Sequence, residues 1–287
     1  MFRRVPAQRV PLHGHLHKLH GVRLKLNRAQ THAHALNREI DAWLGQHPYG
    51  VFGEYEPGPP EQYVFRVRFL DPIPPEWAIA VGDIVHNARS ALDHLAYVVV
   101  LDNNGGADER TQFPVTLSPF DWTSQSRGCI GNASARHIEL IEGFQPYNRT
   151  DLYGWHSFYS SIDDPLAMLT RLSNIDKHSV LHATPAAITH IRYAVVPVRD
   201  IKKFSTTEVQ DGVLVDGGEL LRVAIESKGP NPELKLQRSE TVEIGVQYRV
   251  DFGKDGYVLQ SKSLKETVEA ILARLWEIFE VFVGEFR

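Results

Sequence analysis

The chain has 287 residues and a formal net charge of −4, with 43% hydrophobic and 23% charged residues. These values are typical of a globular protein and exclude a chain that is disordered throughout. A protein that binds nucleic acid with its whole surface is usually basic, so any contact with RNA or DNA is expected to be local.

The expected location of the chain is the cytoplasm. Cys129 is the only cysteine, so no disulfide can form within the chain and a reducing compartment is expected. No run of residues approaches the roughly 18 apolar residues of a membrane span. The first residues, MFRRVPAQRV, lack the apolar stretch of a secretion signal. We therefore expect a soluble protein without a membrane partner.

Helical and extended patterns alternate along the first part of the chain. Apolar residues three and four apart predict a long amphipathic helix at about 12–45 and a second helix at about 76–101. Between them, VFGEYEPGPPEQYVFRVRFL predicts two strands around a Pro/Gly turn. TQFPVTLSPFDW is expected to be extended, and shorter helical patterns follow in SARHIELIEGFQPY and at about 164–180.

The last third of the chain is dominated by alternating apolar and polar residues. This pattern predicts an antiparallel sheet, followed by a closing amphipathic helix with Ser263 and Glu266 at the spacing of a capping box. The predicted fold is α+β: an N-terminal helical bundle with an inserted β-hairpin, a C-terminal antiparallel sheet and a closing amphipathic helix. We expect a helical domain at 1–183 and a β-rich region at 184–287 that packs on it.

The predicted helix at 76–101 contains VGDIVHNARSALDHLAY, whose polar residues are unusual. At 100° per residue they form one face, opposite a broad apolar face. A solvated face usually carries Lys and Glu, whereas this face carries short groups with defined hydrogen-bonding geometry. Besides Arg89 and His94, the candidate binding residues on this face are His86, Asn87, Ser90, Asp93 and Tyr97.

Arg89 and His94 carry the functional hypothesis. An arginine can hold a phosphate oxygen, and a histidine can transfer a proton near neutral pH. Together they are suited to cutting RNA without a metal, with histidine as base or acid and arginine stabilising charge on phosphorus. Because residues five apart on a helix point about 140° apart, we expect a homodimer that brings two such helices to one cleft.

The segment HNARSALDH resembles the R-x4-6-H signature of the HEPN superfamily, whose members are mostly helical, often dimeric and include metal-independent ribonucleases. By this resemblance, Arg89 and His94 would be the catalytic pair, and RNA or a nucleotide the partner. The chain is also similar to a group of uncharacterised bacterial and phage-associated proteins that share HNxRSALDH, QFP and NxDKH segments. This similarity covers residues 62–182, about two fifths of the chain.

Other interpretations of the polar face stay open. Arginine–histidine pairs of similar spacing occur elsewhere, for example Arg28 and His34. Asp93 lies four residues after Arg89, a spacing that also allows an ordinary helix ion pair. In that case the face would hold helices or subunits together in a non-catalytic interaction or structural protein.

Two further groups of polar residues are candidates. Asp176, Lys177 and His178 are expected to bind in the same cleft, because NIDKH accompanies the motif helix in the resembling group. The alternative is a helix end whose Lys and His complement the helix dipole. A third functional possibility is a metal-binding helical bundle, based on a histidine stripe at His13, His17 and His20. No HExxH or clustered Cys/His motif is present, so we predict no metal ligands and no cofactor.

Overall fold

The computed structural model describes residues 18–104, 106–148, 162–178, 183–209, 212–213, 216–251 and 257–286. Its helices are α1 (His20–Leu44), α2 (Glu76–Asn104), α3 (Pro119–Ile130), α4 (Ala135–Gly143), α5 (Pro165–His178) and α6 (Leu264–Glu285). Its strands are β1 (Tyr49–Glu56), β2 (Gln62–Phe69), β3 (Ala183–Arg199), β4 (Ile201–Val209), β5 (Gly212–Val213), β6 (Glu219–Ser227), β7 (Glu233–Asp251) and β8 (Tyr257–Ser263). The predicted α+β class is confirmed.

Helices α3 and α6 begin where the sequence supplies a cap. The Ser263 hydroxyl accepts a hydrogen bond from the Glu266 backbone N–H at 3.3 Å, which confirms the predicted cap of α6. The prediction that TQFPVTLSPFDW is extended throughout was wrong at its end. Ser118 accepts a hydrogen bond from the Phe120 N–H at 3.2 Å, and Pro119 occupies the first position of α3.

No helix within the described residues is long and apolar enough to cross a membrane.

Within the described residues the strands form two antiparallel four-stranded sheets, in the orders β1-β2-β6-β4 and β5-β3-β7-β8. The predicted hairpin is confirmed, with Tyr49 opposite Phe69 and Glu56 opposite Gln62. It does not stand alone, however, because β2 also pairs with β6 from the C-terminal part of the chain. The hairpin is therefore part of a sheet whose other strands lie more than a hundred residues later.

Apolar side chains from both sheets share one core. Its buried members are Tyr63, Phe65, Leu221, Val223, Ile225 and Leu234. They come from alternate positions of β2 and β6 and from β7, as expected for strands that bury one face. On β1, β2 and β6, charged side chains pair with one another. Arg222 lies 2.8 Å from Glu56, and Arg66 lies 3.1 Å from Glu219.

The chain divides into two compact units that do not follow chain order. One unit consists of Met1–Thr31, Asp83–Asn174 and Ala270–Arg287, and the other consists of His32–Gly82 and Ile175–Glu269. The second unit contains both sheets. The domain boundary that we expect between residues 183 and 184 stays a prediction. The packing of the two predicted domains on each other stays a prediction as well.

The core between the sheets can be tested with two leucines of very different exposure. Leu221 is 2% exposed and Leu70 is 60% exposed. Leu221→Ala should lower the free energy of unfolding by about 3 kcal/mol, because it removes buried methyl groups and leaves a cavity. Leu70→Ala should change it by less than about 0.5 kcal/mol. Urea unfolding measures both, and equal effects would contradict this account of the core.

Candidate functional site

Helix α2 carries all the candidate residues of the predicted polar face, and its opposite face is buried. The buried residues include Ile84, Val85, Ala88, Ala91, Leu92 and Leu95. On the polar face His86 and Tyr97 are exposed, and Arg89, Ser90 and His94 are half-buried. The predicted amphipathic pattern is confirmed, and the half-buried polar groups show that much of this face meets other parts of the protein.

The Arg89 guanidinium is bound within its own chain. Its Nη2 lies 2.9 Å from Asp93 Oδ1 and donates to the Phe113 carbonyl oxygen at 2.8 Å, while its Nε donates to Asp93 Oδ2 at 3.2 Å. Asp93 Oδ1 also accepts the Phe113 backbone N–H at 3.0 Å. The ion pair between Arg89 and Asp93 that the spacing allows is thus present, and together they satisfy both backbone polar groups of a buried residue.

The Gln145 side chain binds the backbone of the residues that follow Phe113, as Arg89 and Asp93 bind the backbone of Phe113 itself. Gln145 is fully buried, and its Oε1 accepts the Thr116 N–H at 2.9 Å. Its Nε2 donates to the carbonyl oxygens of Pro114 and Ile141, both at 3.0 Å. Side chains of α2 and of the end of α4 therefore replace the neighbouring strand that would otherwise satisfy this extended backbone. We call residues 113–116 the buried strap.

His94 packs against α1 at a glycine. A Cβ at Gly21 would lie only 2.2 Å from His94 Cε1, so a larger residue at this position would displace the ring. His94 Nδ1 is buried and has no hydrogen-bond partner in the part of the chain that the structure describes. Burial, and then the positive charge of Lys25, lower the pKa of His94 below its ordinary value. The imidazole is therefore neutral at neutral pH.

Lys25 brings a positive charge to the same place. Its Nζ donates a hydrogen bond to the Ser90 hydroxyl. Lys25 lies four residues after Gly21, and Ser90 lies four residues before His94, so α1 and α2 run antiparallel here and the two contacts follow each other by one helical turn. We call Lys25, Ser90 and His94 the lysine–histidine group. The sequence had indicated Ser90 and His94 but not Lys25.

The remaining candidates lie on α2 and α5. Asn87 donates to the Asp83 carbonyl oxygen within α2 at 2.7 Å. On α5, Asp176 and Lys177 are exposed, and a Cβ at Gly82 would lie 2.5 Å from Asp176 Oδ1. The Asp176 carboxylate thus packs directly on the α2 backbone. His178 ends α5, and its side chain lies outside the described residues.

The predicted histidine stripe is mostly outside the described residues. His13 and His17 precede them, and His20 is exposed at the start of α1. Among the described residues, no group of three or more His, Cys, Asp or Glu side chains could hold a metal ion.

Comparisons of the chain with protein-family models, with curated proteins and with solved structures gave no match. The HEPN resemblance therefore stays a prediction.

The Arg89–Asp93 pair should matter for stability. Arg89→Met removes the guanidinium donor from Asp93 and from the Phe113 carbonyl, in a site where the arginine side chain is only 13% exposed. We expect a loss of about 2 kcal/mol of unfolding free energy, and a non-additive effect when Asp93→Asn is combined with it. Arg110→Met is the matched control, since its side chain is 82% exposed and should contribute less than about 0.5 kcal/mol. Equal losses for the two arginines would contradict this role.

The environment of His94 can be read from its titration by NMR. Its pKa should lie below 6.5 and should rise in Lys25→Met, because the neighbouring positive charge is removed. Gly21→Ala should also raise it, by forcing the ring outward into solvent. Because folding favours the neutral form, this residue contributes stability above about pH 6.5 that is lost as pH falls through the lowered pKa. A pKa of 6.5 or higher in the unaltered protein would refute this description.

Proposed function

We propose that the chain cuts RNA without a metal, in the manner of HEPN ribonucleases, at the lysine–histidine group. The observation that carries the proposal is the neutral, half-buried His94 next to the Lys25 ammonium, with Ser90 between the two helices. A base that is unprotonated at neutral pH and a nearby cation are the two groups that metal-free transfer of a phosphate ester requires.

In the proposed reaction, His94 takes the proton of a ribose 2′-hydroxyl. The resulting oxygen attacks the adjacent phosphorus, and the bond from phosphorus to the 5′ oxygen of the next nucleotide breaks. That oxygen takes a proton from solvent, and the imidazolium returns its own proton to solvent. The products are a 2′,3′-cyclic phosphate and a 5′-hydroxyl end, and Lys25 stabilises the negative charge that develops on the phosphoryl oxygens.

This assignment differs from the HEPN resemblance in one residue. The resemblance gives the phosphate to Arg89, but its guanidinium donates to Asp93 and to the Phe113 carbonyl. We therefore assign the phosphate to Lys25 and give Arg89 a positioning role, in which it fixes α2 on the buried strap. His94 keeps the role of base.

The proposed setting is a cytoplasmic homodimer. Tyr97 and Leu101 lie four residues apart on α2, and both are exposed. Exposed apolar side chains that share a helix face are typical of contact surfaces. A second copy of α2 against this surface would add its own lysine–histidine group, and the cleft between the copies would bind RNA or a nucleotide.

The proposal is tested with a fluorescent single-stranded RNA in the presence of EDTA. The unaltered protein should produce fragments with cyclic phosphate ends. His94→Ala should be at least about 100-fold slower, which is the usual contribution of a general base, and Lys25→Met should also be slower. The same oligonucleotide made of deoxyribose should stay intact, because it lacks the attacking hydroxyl.

Two controls make the result specific. His34→Ala removes an exposed histidine of α1 that also follows an arginine at motif-like spacing, and it should cut at the unaltered rate. Thermal unfolding shows whether each variant is folded. If folded His94→Ala and Lys25→Met give the same RNA fragments as the unaltered protein, the proposed activity is wrong.

A second candidate function is a non-catalytic interaction protein, favoured by the contacts of Arg89 and Asp93 with Phe113. In this case the polar face of α2 serves mainly to hold the chain together. The RNA would remain intact with every variant, while Arg89→Met would still lower the unfolding free energy.

A further inference from the structure

A second histidine is buried at the end of the C-terminal helix. His137 on α4 is 9% exposed, and its ring centroid lies 5.8 Å from that of Phe282 and 5.5 Å from that of Phe286. Its Nδ1 is buried and has no hydrogen-bond partner within the described ranges. The last turn of α6 thus packs on an aromatic ring that can acquire a positive charge.

Charged groups surround this contact on three elements. Glu285 on α6 and Asp102 on α2 favour the protonated imidazole, whereas Arg136 on α4 disfavours it. Burial outweighs them and lowers the pKa of His137. Arg136 also pairs with Glu285 at 3.1 Å, and Lys18 lies 5.4 Å from the centre of the Phe286 ring while it pairs with Asp102.

We propose that His137 is an acid-sensitive latch for the end of α6. The neutral ring packs between Phe282 and Phe286, and protonation places an imidazolium in this apolar contact, where its Nδ1–H has no acceptor. Charging a buried group without a hydrogen-bond partner is costly. The contact between α4 and the last turns of α6 therefore opens as the imidazole is protonated, while the rest of α6 stays packed through residues such as Leu275 and Ile278.

The sign of the pH dependence follows from the preference of the closed state for neutral histidine. Above about pH 6.5 the contact does not depend on this proton. Below it, the ratio of open to closed forms rises by at most about tenfold per pH unit, because one proton is bound. The rise ends below the lowered pKa, where both forms are protonated.

The latch is tested by hydrogen–deuterium exchange of the peptide covering the last turns of α6, between pH 7.5 and 5, corrected for intrinsic rates. In the unaltered protein, protection should decrease below pH 6.5. His137→Phe keeps an aromatic ring but has no group that can be protonated. Protection of this peptide should therefore not change with pH in the variant. His34→Ala is the control, and it should behave like the unaltered protein.

Two matched variants separate a latch from a merely structural contact. Glu285→Gln and Arg136→Gln break the same ion pair, but they remove charges that act on His137 in opposite directions. Glu285→Gln should therefore lower the pKa of His137 in the closed form further, so that the loss of protection continues to lower pH and becomes larger. Arg136→Gln should raise this pKa, so that the loss of protection ends at higher pH and becomes smaller. Loss of the ion pair alone would change the pH-dependent loss of protection in the same direction in both variants.

The proposal is overturned if protection does not change between pH 7.5 and 5, or if His137→Phe loses it like the unaltered protein. Should His137→Phe fail to fold, the two ion-pair variants decide the question. Changes of this loss in the same direction, or no change in either variant, would refute the latch.

Discussion

The backbone of the buried strap imposes the constraint on which the rest of this region depends. Phe113 is fully buried outside any sheet, so its N–H and C=O need partners from elsewhere in the chain. Arg89 and Asp93 provide both partners from one helical turn of α2, and Gln145 does the same for the other end of the strap. These contacts fix how α2 is rotated about its axis, because only one face can present the pair to Phe113.

This rotation also determines what the neighbouring residues meet. Ser90 and His94 each follow a residue of the Arg89–Asp93 pair by one position, which turns them about 100° around the helix. That direction leads to α1, where Gly21 leaves room for the imidazole and Lys25 reaches the hydroxyl. One polar face thus divides into a part that secures the strap and a part that combines a neutral base with a cation.

Local patterns in the sequence predicted most elements of the fold, and they indicated Ser90 and His94 as candidate residues. Spacing along α2 predicted the amphipathic helix and allowed the Arg89–Asp93 pair as one interpretation, since both depend on residues three or four apart. Lys25 could not be predicted, because its contact joins residues 65 positions apart and no local pattern encodes which helices become neighbours. The pairing of the hairpin with β6 escaped prediction for the same reason. The start of α3 is a different case, because a local signal for it is present in the sequence. Ser118 followed by Pro119 is a typical helix start, and the prediction of an extended segment did not take it into account.

In the proposed function, the polar face of α2 is divided, with His94 and Lys25 binding the RNA while Arg89 holds the strap. The most direct test of this division is an NMR titration with a single-stranded RNA carrying 2′-O-methyl groups, which can bind but cannot be cut. We expect signals of the His94 ring and the Lys25 side chain to shift with RNA while the Arg89 Nε–H signal stays unchanged. A shift of the Arg89 signal with His94 and Lys25 unaffected would contradict this division.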